Sequence, residues 1–273
     1  MFRIAPTPSG YLHLGNAFSF LLTRQLADSH HRKILLRIDD LDSERMRQEY
    51  VDDIFESLDW LGIRWEEGPR DADDFRRNWS QQFRLEEYRK VIDGLISEKK
   101  VFACRCSRKT LSASGAYPGT CENMDIPYDT PDTALRVMVP SASEICFNDA
   151  YSGSQRIALG RCMGSFIIRR RDGVPAYQLA SLVDDRLFGI TYVVRGTDLM
   201  ESTAAQLYLA EKIGYDGFGT NPFLHHELLP DENGMKLSKS EGAYSLKSMR
   251  AAGVTAEEVL SRLQPQLDRY RRC

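Results

Sequence analysis

Long apolar stretches are missing from this 273-residue sequence. No run of about 18 apolar residues occurs, so neither a membrane span nor a membrane partner is expected. Cysteine is sparse, with six residues at uneven spacing. That argues against a disulfide framework and for a reducing, cytoplasmic setting. Met-Phe-Arg leads straight into strand and turn signals, so no signal peptide is expected. Excess charge is lacking too: the formal net charge is −3, so contact with a nucleic acid needs local basic patches. No internal repeat or low-complexity tract is present.

What is present is an alternation of strand and helix signals. Residues 2–5 read as a short buried strand that stops at Pro6. Apolar residues at Leu14, Ala17, Phe18, Leu21, Leu22 and Leu26 predict a helix to about His30. A compact apolar strand follows at Ile34–Ile38, then a helix over 43–61 with Ser43 as its cap. This order predicts an α/β fold with a parallel sheet flanked by helices. A third helix is expected over about 80–99. From Val101 to Arg161 helical period fades and Gly, Pro, Ser and Cys increase, which predicts an insertion. The α/β pattern then returns: a strand at Phe166–Arg169, a helix over 176–187, a strand at 190–195 and a helix over 202–213 capped by Ser202. A basic helix is expected from about Thr255.

Two stretches carry chemistry. In RIAPTPSGYLHLGN, residues 3–16, a Pro- and Gly-bearing turn delivers His13 to the start of a helix. The first turn of a helix presents unpaired N–H groups that bind phosphate. His13 and the amides around Gly15 and Asn16 are therefore candidates to lie against a nucleotide, with Gly15 allowing close approach. The second stretch is KLSKS, residues 236–240. Lys236 and Lys239 are mobile point charges suited to β- and γ-phosphates.

Together these stretches resemble the class I aminoacyl-tRNA synthetases. HLGN is similar to their HIGH-type signature with Asn16 in the last place, and KLSKS to their KMSKS loop. The ordered blocks at 3–17, 35–42 (LLRIDDLD), 175–185 (PAYQLASLVDD) and 193–206 (VVRGTDLMESTAAQ) resemble the glutamyl-tRNA synthetase catalytic core. The resemblance implies a class I Rossmann fold and activation of glutamate by ATP with Mg2+. It implies His13, Asn16, Lys236 and Lys239 as catalytic residues, with His13, Gly15, Asn16 and Lys239 on ATP. It also implies a glutamate pocket of Arg3, Thr7, Asp39, Tyr177 and Arg195. Paired guanidinium groups suit the γ-carboxylate, and Asp39, standing where the family usually has Glu, suits the α-ammonium.

Cys104 and Cys106 are two apart, and Cys121 follows after fourteen intervening residues. Three thiolates at that spacing suit a tetrahedral structural Zn2+. Composition leaves the fourth ligand open among Cys146, Cys162 and a water. The C-x-C…Y-x3-C arrangement resembles the zinc site of the glutamyl-Q tRNA(Asp) synthetases, which implies Tyr117. That resemblance divides the chain into residues 1–100 (first Rossmann half), 101–165 (zinc-bearing insertion), 166–234 (second half) and 235–273 (KLSKS loop and C-terminal helical segment). With only 33 residues after Ser240, no anticodon-binding domain is expected. The resemblance further implies transfer of glutamate to queuosine in the anticodon arm of tRNA(Asp) by a monomer. Arg105, Arg108, Lys109, Arg169, Arg170 and Arg171, with Arg262, Arg269, Arg271 and Arg272 near the C-terminus, are the candidate phosphate contacts. A different glutamate carrier, and a non-catalytic glutamate or ATP sensor, are the rival expectations.

Overall fold

The computed structural model describes residues 1–107, 116–229 and 245–273, which fall into two compact units. The first holds residues 1–83, 190–198 and 222–273; the second holds 84–189 and 199–221.

In the first unit, strand β1 (Phe2–Ile4) runs parallel to β2 (Ile34–Leu36), with Phe2 opposite Ile34. The helix Leu14–Ser29 crosses between them, as a parallel pair requires. It buries Leu14, Ala17, Phe18, Leu22 and Leu26, which recur at helical spacing on one face. Strands β1 and β2 are buried throughout, so their apolar runs are continuous rather than alternating. Fully burying each such side chain contributes roughly 1.5–3 kcal/mol. The helix Gln48–Trp60 adds Val51, Ile54 and Leu58 to the same core, and the C-terminal helix Ala256–Asp268 adds Val259, Leu263 and Leu267. Thr255 and Glu258 form a capping box at the start of that last helix. The Val193–Gly196 and Phe223–His226 strands form a second parallel pair.

The second unit is built differently. Residues Val101–Cys104 form β3, which pairs antiparallel with β4 (Ala134–Val137), and β4 pairs antiparallel with β7 (Ile167–Arg169). Between them β5 (Ile145–Asp149) and β6 (Gly153–Ile157) make a hairpin whose turn is held by the Asp149 carboxylate, which accepts from the Tyr151 and Ser152 amides. The strands after them, Val193–Gly196 and Phe223–His226, are β8 and β9. Inside this unit Asp184, on the helix Tyr177–Leu187, accepts two bonds from Arg84 at 2.8 and 3.0 Å and one from the Tyr88 hydroxyl at 2.8 Å.

Several expectations need correction. The stretch 166–169 does not return to a parallel sheet; its partner is β4, in antiparallel register. β3 and β4 are four residues each and buried throughout, and β5 and β6 are five residues each, so all four are too short for periodicity to identify them from sequence. Ser43 caps nothing: the second helix begins at Gln48 after Arg47, with no side-chain cap. Ser80 precedes a 3-10 turn, Gln81–Arg84, ahead of the helix Leu85–Ser97, and its hydroxyl donates to Asp40 at 2.5 Å. Ser202 lies inside the helix Met200–Lys212, where its hydroxyl accepts from Gln178 at 3.0 Å.

Candidate active site and cysteine cluster

His13 is the N-cap of the first helix. Its Nδ1 accepts from the Gly15 amide at 3.1 Å and the Asn16 amide at 3.3 Å, while the Asn16 side-chain oxygen accepts from the His13 amide at 3.0 Å. Two orphan donors of the first turn are thus satisfied by an imidazole rather than by a hydroxyl or carboxylate. An accepting Nδ1 places the proton of a neutral ring on Nε2. A Cβ on Gly15 would stand 3.0 Å from the His13 ring, so the group that needs this glycine is the histidine itself. The carboxamide nitrogen of Asn16 remains a donor, because its oxygen is the atom used in the cap.

Arg3 is buried on β1 and its Nη1 donates to the Val194 carbonyl at 3.2 Å, one residue before the equally buried Arg195. That bond ties β1 to the strand that carries Arg195, from the opposite half of the chain. Asp39 is anchored beside the Pro6–Thr7 turn, where its amide donates to the Pro6 carbonyl at 2.9 Å. Its carboxylate is held by Arg37 through two bonds of 2.6 and 3.0 Å. Arg37 escaped the sequence reading. Its signal is the i, i+2 spacing in RIDD, which puts alternate side chains of an extended chain on one side. Tyr177 lies in the second unit, at the first position of its helix, and is 42% exposed. Lys236 and Lys239 lie outside the described residues.

Sequence reasoning also missed the surroundings of residues 11–13. Ser245 forms an isolated antiparallel bridge with His13, and the Leu246 amide donates to the Leu12 carbonyl at 2.7 Å. The segment that follows KLSKS in the chain is therefore tied to the segment that precedes HLGN. No local signal announces such a contact.

In the second unit, the sulfurs of Cys104, Cys106 and Cys121 lie within 4.8 Å of one another, with 3.6 Å between Cys106 and Cys121. Tetrahedral zinc with bonds of about 2.3 Å sets its sulfurs about 3.8 Å apart, so the thiols fit that ion. Neither Cys146 nor Cys162 belongs to the cluster among the described residues. The Tyr117 hydroxyl does approach it, 3.6 Å from the Cys104 sulfur, and accepts from the Cys121 amide at 2.8 Å. Gly164, at φ +63°, packs on the Tyr117 backbone so closely that an added Cβ would stand 3.1 Å from the Tyr117 carbonyl oxygen. Burial pushes the Cys104 thiol up, but the Tyr117 hydroxyl, the Cys106 amide and the Arg136 guanidinium together hold it below its ordinary range. Arg136 also lies over the Tyr117 ring, 4.1 Å from its centroid.

The basic run 169–171 is locally paired. Arg169 donates to the Tyr128 carbonyl, Arg170 meets Asp172 at 2.7 Å, and Arg171 meets Asp132 at 3.3 Å. Arg269 and Arg271 pair with Glu227 and Asp268. Arg108 and Lys109 lie outside the described residues. No described helix is long and apolar enough to cross a membrane.

The family description "tRNA synthetases class I (E and Q), catalytic domain" matches residues 1–117 and 119–264. The chain is 38% identical over 275 residues to a glutamyl-Q tRNA(Asp) synthetase of Nitratidesulfovibrio vulgaris, covering 94% of this chain and 83% of that protein. It is also 38% identical to a glutamyl-Q tRNA(Asp) synthetase of Symbiobacterium thermophilum, covering 96% and 84%. The glutamate-tRNA synthetase of Elizabethkingia anophelis shares the fold, with a TM-score of 0.74 at 23% identity over 92% of this chain. This chain spans about half of that one, 53%. The α/β core with its parallel β1–β2 and β8–β9 pairs is thus the class I synthetase catalytic fold, and the chain belongs to the class I tRNA synthetases of the glutamate and glutamine type, in the group that holds the glutamyl-Q tRNA(Asp) synthetases.

Proposed function

We propose that this chain is a ligase that activates glutamate with ATP, without tRNA, and passes the glutamyl group to queuosine at the wobble position of tRNA(Asp). The observation that carries the activation half is the union of Arg3 with the strand of Arg195, in the unit whose first helix is capped by His13. Near-full-length likeness to the short glutamyl-Q tRNA(Asp) synthetases supports the acceptor.

An oxygen of the glutamate α-carboxylate attacks the α-phosphorus of ATP. The bond to the bridging oxygen breaks, and pyrophosphate leaves with both electrons of that bond. No covalent protein group takes part, so the chain works by positioning and by stabilising charge. Arg3 and Arg195 grip the side-chain carboxylate. Asp39, steadied by Arg37, receives the α-ammonium, and Thr7 contributes a hydroxyl group. The Nε2–H of His13 and the Asn16 amide nitrogen donate to phosphate oxygens as charge grows there, with Gly15 shaping the turn. Lys236 and Lys239 hold the departing pyrophosphate, whose Mg2+ arrives with ATP. Cys104, Cys106, Cys121 and Tyr117 hold a zinc ion that pins the surrounding loops and takes no part in the chemistry.

Two assays test this reading. Glutamate-dependent pyrophosphate exchange without tRNA is expected; its absence overturns tRNA-independent activation. Glutamate transfer to tRNA(Asp) is expected only when the tRNA carries queuosine, and equal transfer to the unmodified tRNA overturns the acceptor.

A further inference from the structure

The residues between the opening turn and His13 are held by a closed ring of hydrogen bonds that the proposed chemistry does not use. Leu12 is buried and both its backbone polar groups are taken by distant elements. Its amide donates to Asp53 Oδ2 at 3.4 Å, and its carbonyl accepts from the Leu246 amide at 2.7 Å. One turn further along the helix Leu246–Ala251, Arg250 donates to the other oxygen, Asp53 Oδ1, at 2.6 Å. The ring therefore runs from Leu12 to Asp53, to Arg250, back through one helical turn to Leu246, and to Leu12 again.

Asp53 is an unusual residue for this place. It sits on the core-facing side of the helix Gln48–Trp60 with its carboxylate 1% exposed, and Arg250 is 17% exposed. Burial pushes the Asp53 carboxyl up, against Arg250 and the Leu12 amide, which favour its charged form. A buried ion pair is a poor way to gain stability. It is a good way to fix geometry, because two directional bonds to one carboxylate leave little room to slide. Outside the ring, Arg250 also reaches Glu56 at 3.3 Å, and Lys247 reaches the Tyr11 hydroxyl at 3.0 Å.

We infer that Asp53 and Arg250 are positioning residues for His13. They fix the backbone of Leu12 and thereby the cap that aims the imidazole, without touching substrate. The inference rests on the proposed role of His13 in glutamate activation.

The test compares Asp53→Asn, Arg250→Met and Arg250→Lys with the unaltered chain. It uses glutamate-dependent pyrophosphate exchange and amide hydrogen exchange over residues 12–16. Misplacement by about 1 Å costs up to about 100-fold in rate, so the first two variants are expected to lose about 10- to 100-fold in kcat. KM for glutamate should stay within about twofold, because the arginine pair is a separate device. Amides at 12–16 should exchange faster, and Arg250→Lys should regain part of both. Unchanged kcat overturns the inference. So does a loss in which KM for glutamate rises while protection falls across the whole first unit, since that marks a merely structural pair. If the unaltered chain shows no pyrophosphate exchange, the functional reading fails instead, and unchanged protection at 12–16 in the variants still overturns the positioning role.

Discussion

Arg3 donates to the carbonyl of Val194 at 3.2 Å, which joins residues 191 positions apart one step from Arg195. A charge-assisted bond is worth about 1.5–3 kcal/mol, or roughly 10- to 100-fold in affinity. Arg195→Lys keeps the charge and loses the fork that matches a carboxylate. Its KM for glutamate in pyrophosphate exchange should rise by about that factor, with KM for ATP little changed. A variant with glutamate KM equal to that of the unaltered chain removes Arg195 from the pocket.

His13 has two duties that mutation separates. Asparagine is a strong N-cap, so His13→Asn should keep the stability of the first helix while losing the Nε2–H donor. His13→Ala should lose the cap as well, at about 0.5–2 kcal/mol in urea unfolding. Both should lower kcat for exchange. If His13→Asn is as active as the unaltered chain, the ring serves only as a cap.

The cysteine cluster predicts metal. Purified protein should carry about one equivalent of zinc, and Cys121→Ser should lose it along with thermal stability. Tyr117→Phe removes the hydroxyl that accepts from the Cys121 amide. It should weaken zinc retention against a chelator without abolishing it. Elemental analysis before and after dialysis reads both results.

His226 carries the pH dependence. Its ring packs edge-on against Phe18, and burial pulls its pKa below the ordinary histidine value, although a bond to the Glu227 carbonyl opposes this. The folded state therefore binds the proton less well than the unfolded chain. Stability is full above the unfolded pKa and is lost as pH falls towards the folded one. Urea unfolding from about pH 8 down to about pH 5.5 should show that decline. His226→Gln should show a shallower one, and an identical slope in the two proteins places the titration elsewhere.

Asp184 should be the costliest single loss in the second unit. Its side chain is 0% exposed and takes bonds from Arg84 and Tyr88. Asp184→Ala leaves a buried guanidinium without its counter-charge, at about 3–5 kcal/mol in chemical unfolding. A change below about 1 kcal/mol, the level of an exposed pair, contradicts this account.

The sequence alone determined whatever depends on short-range periodicity and ordered motifs. The helix from Leu14, the apolar strands at residues 2–4 and 34–36, the C-x-C spacing and the synthetase resemblance are all properties of contiguous residues. Tertiary structure decided what depends on partners far along the chain. It paired β7 with β4, joined Arg3 to the Val194 carbonyl and closed Asp53 onto Arg250. The physical reason is that hydrogen bonds and ion pairs are short and directional. Residues such as Asp53 and Arg250, 197 positions apart, come within reach only after the core has fixed their elements.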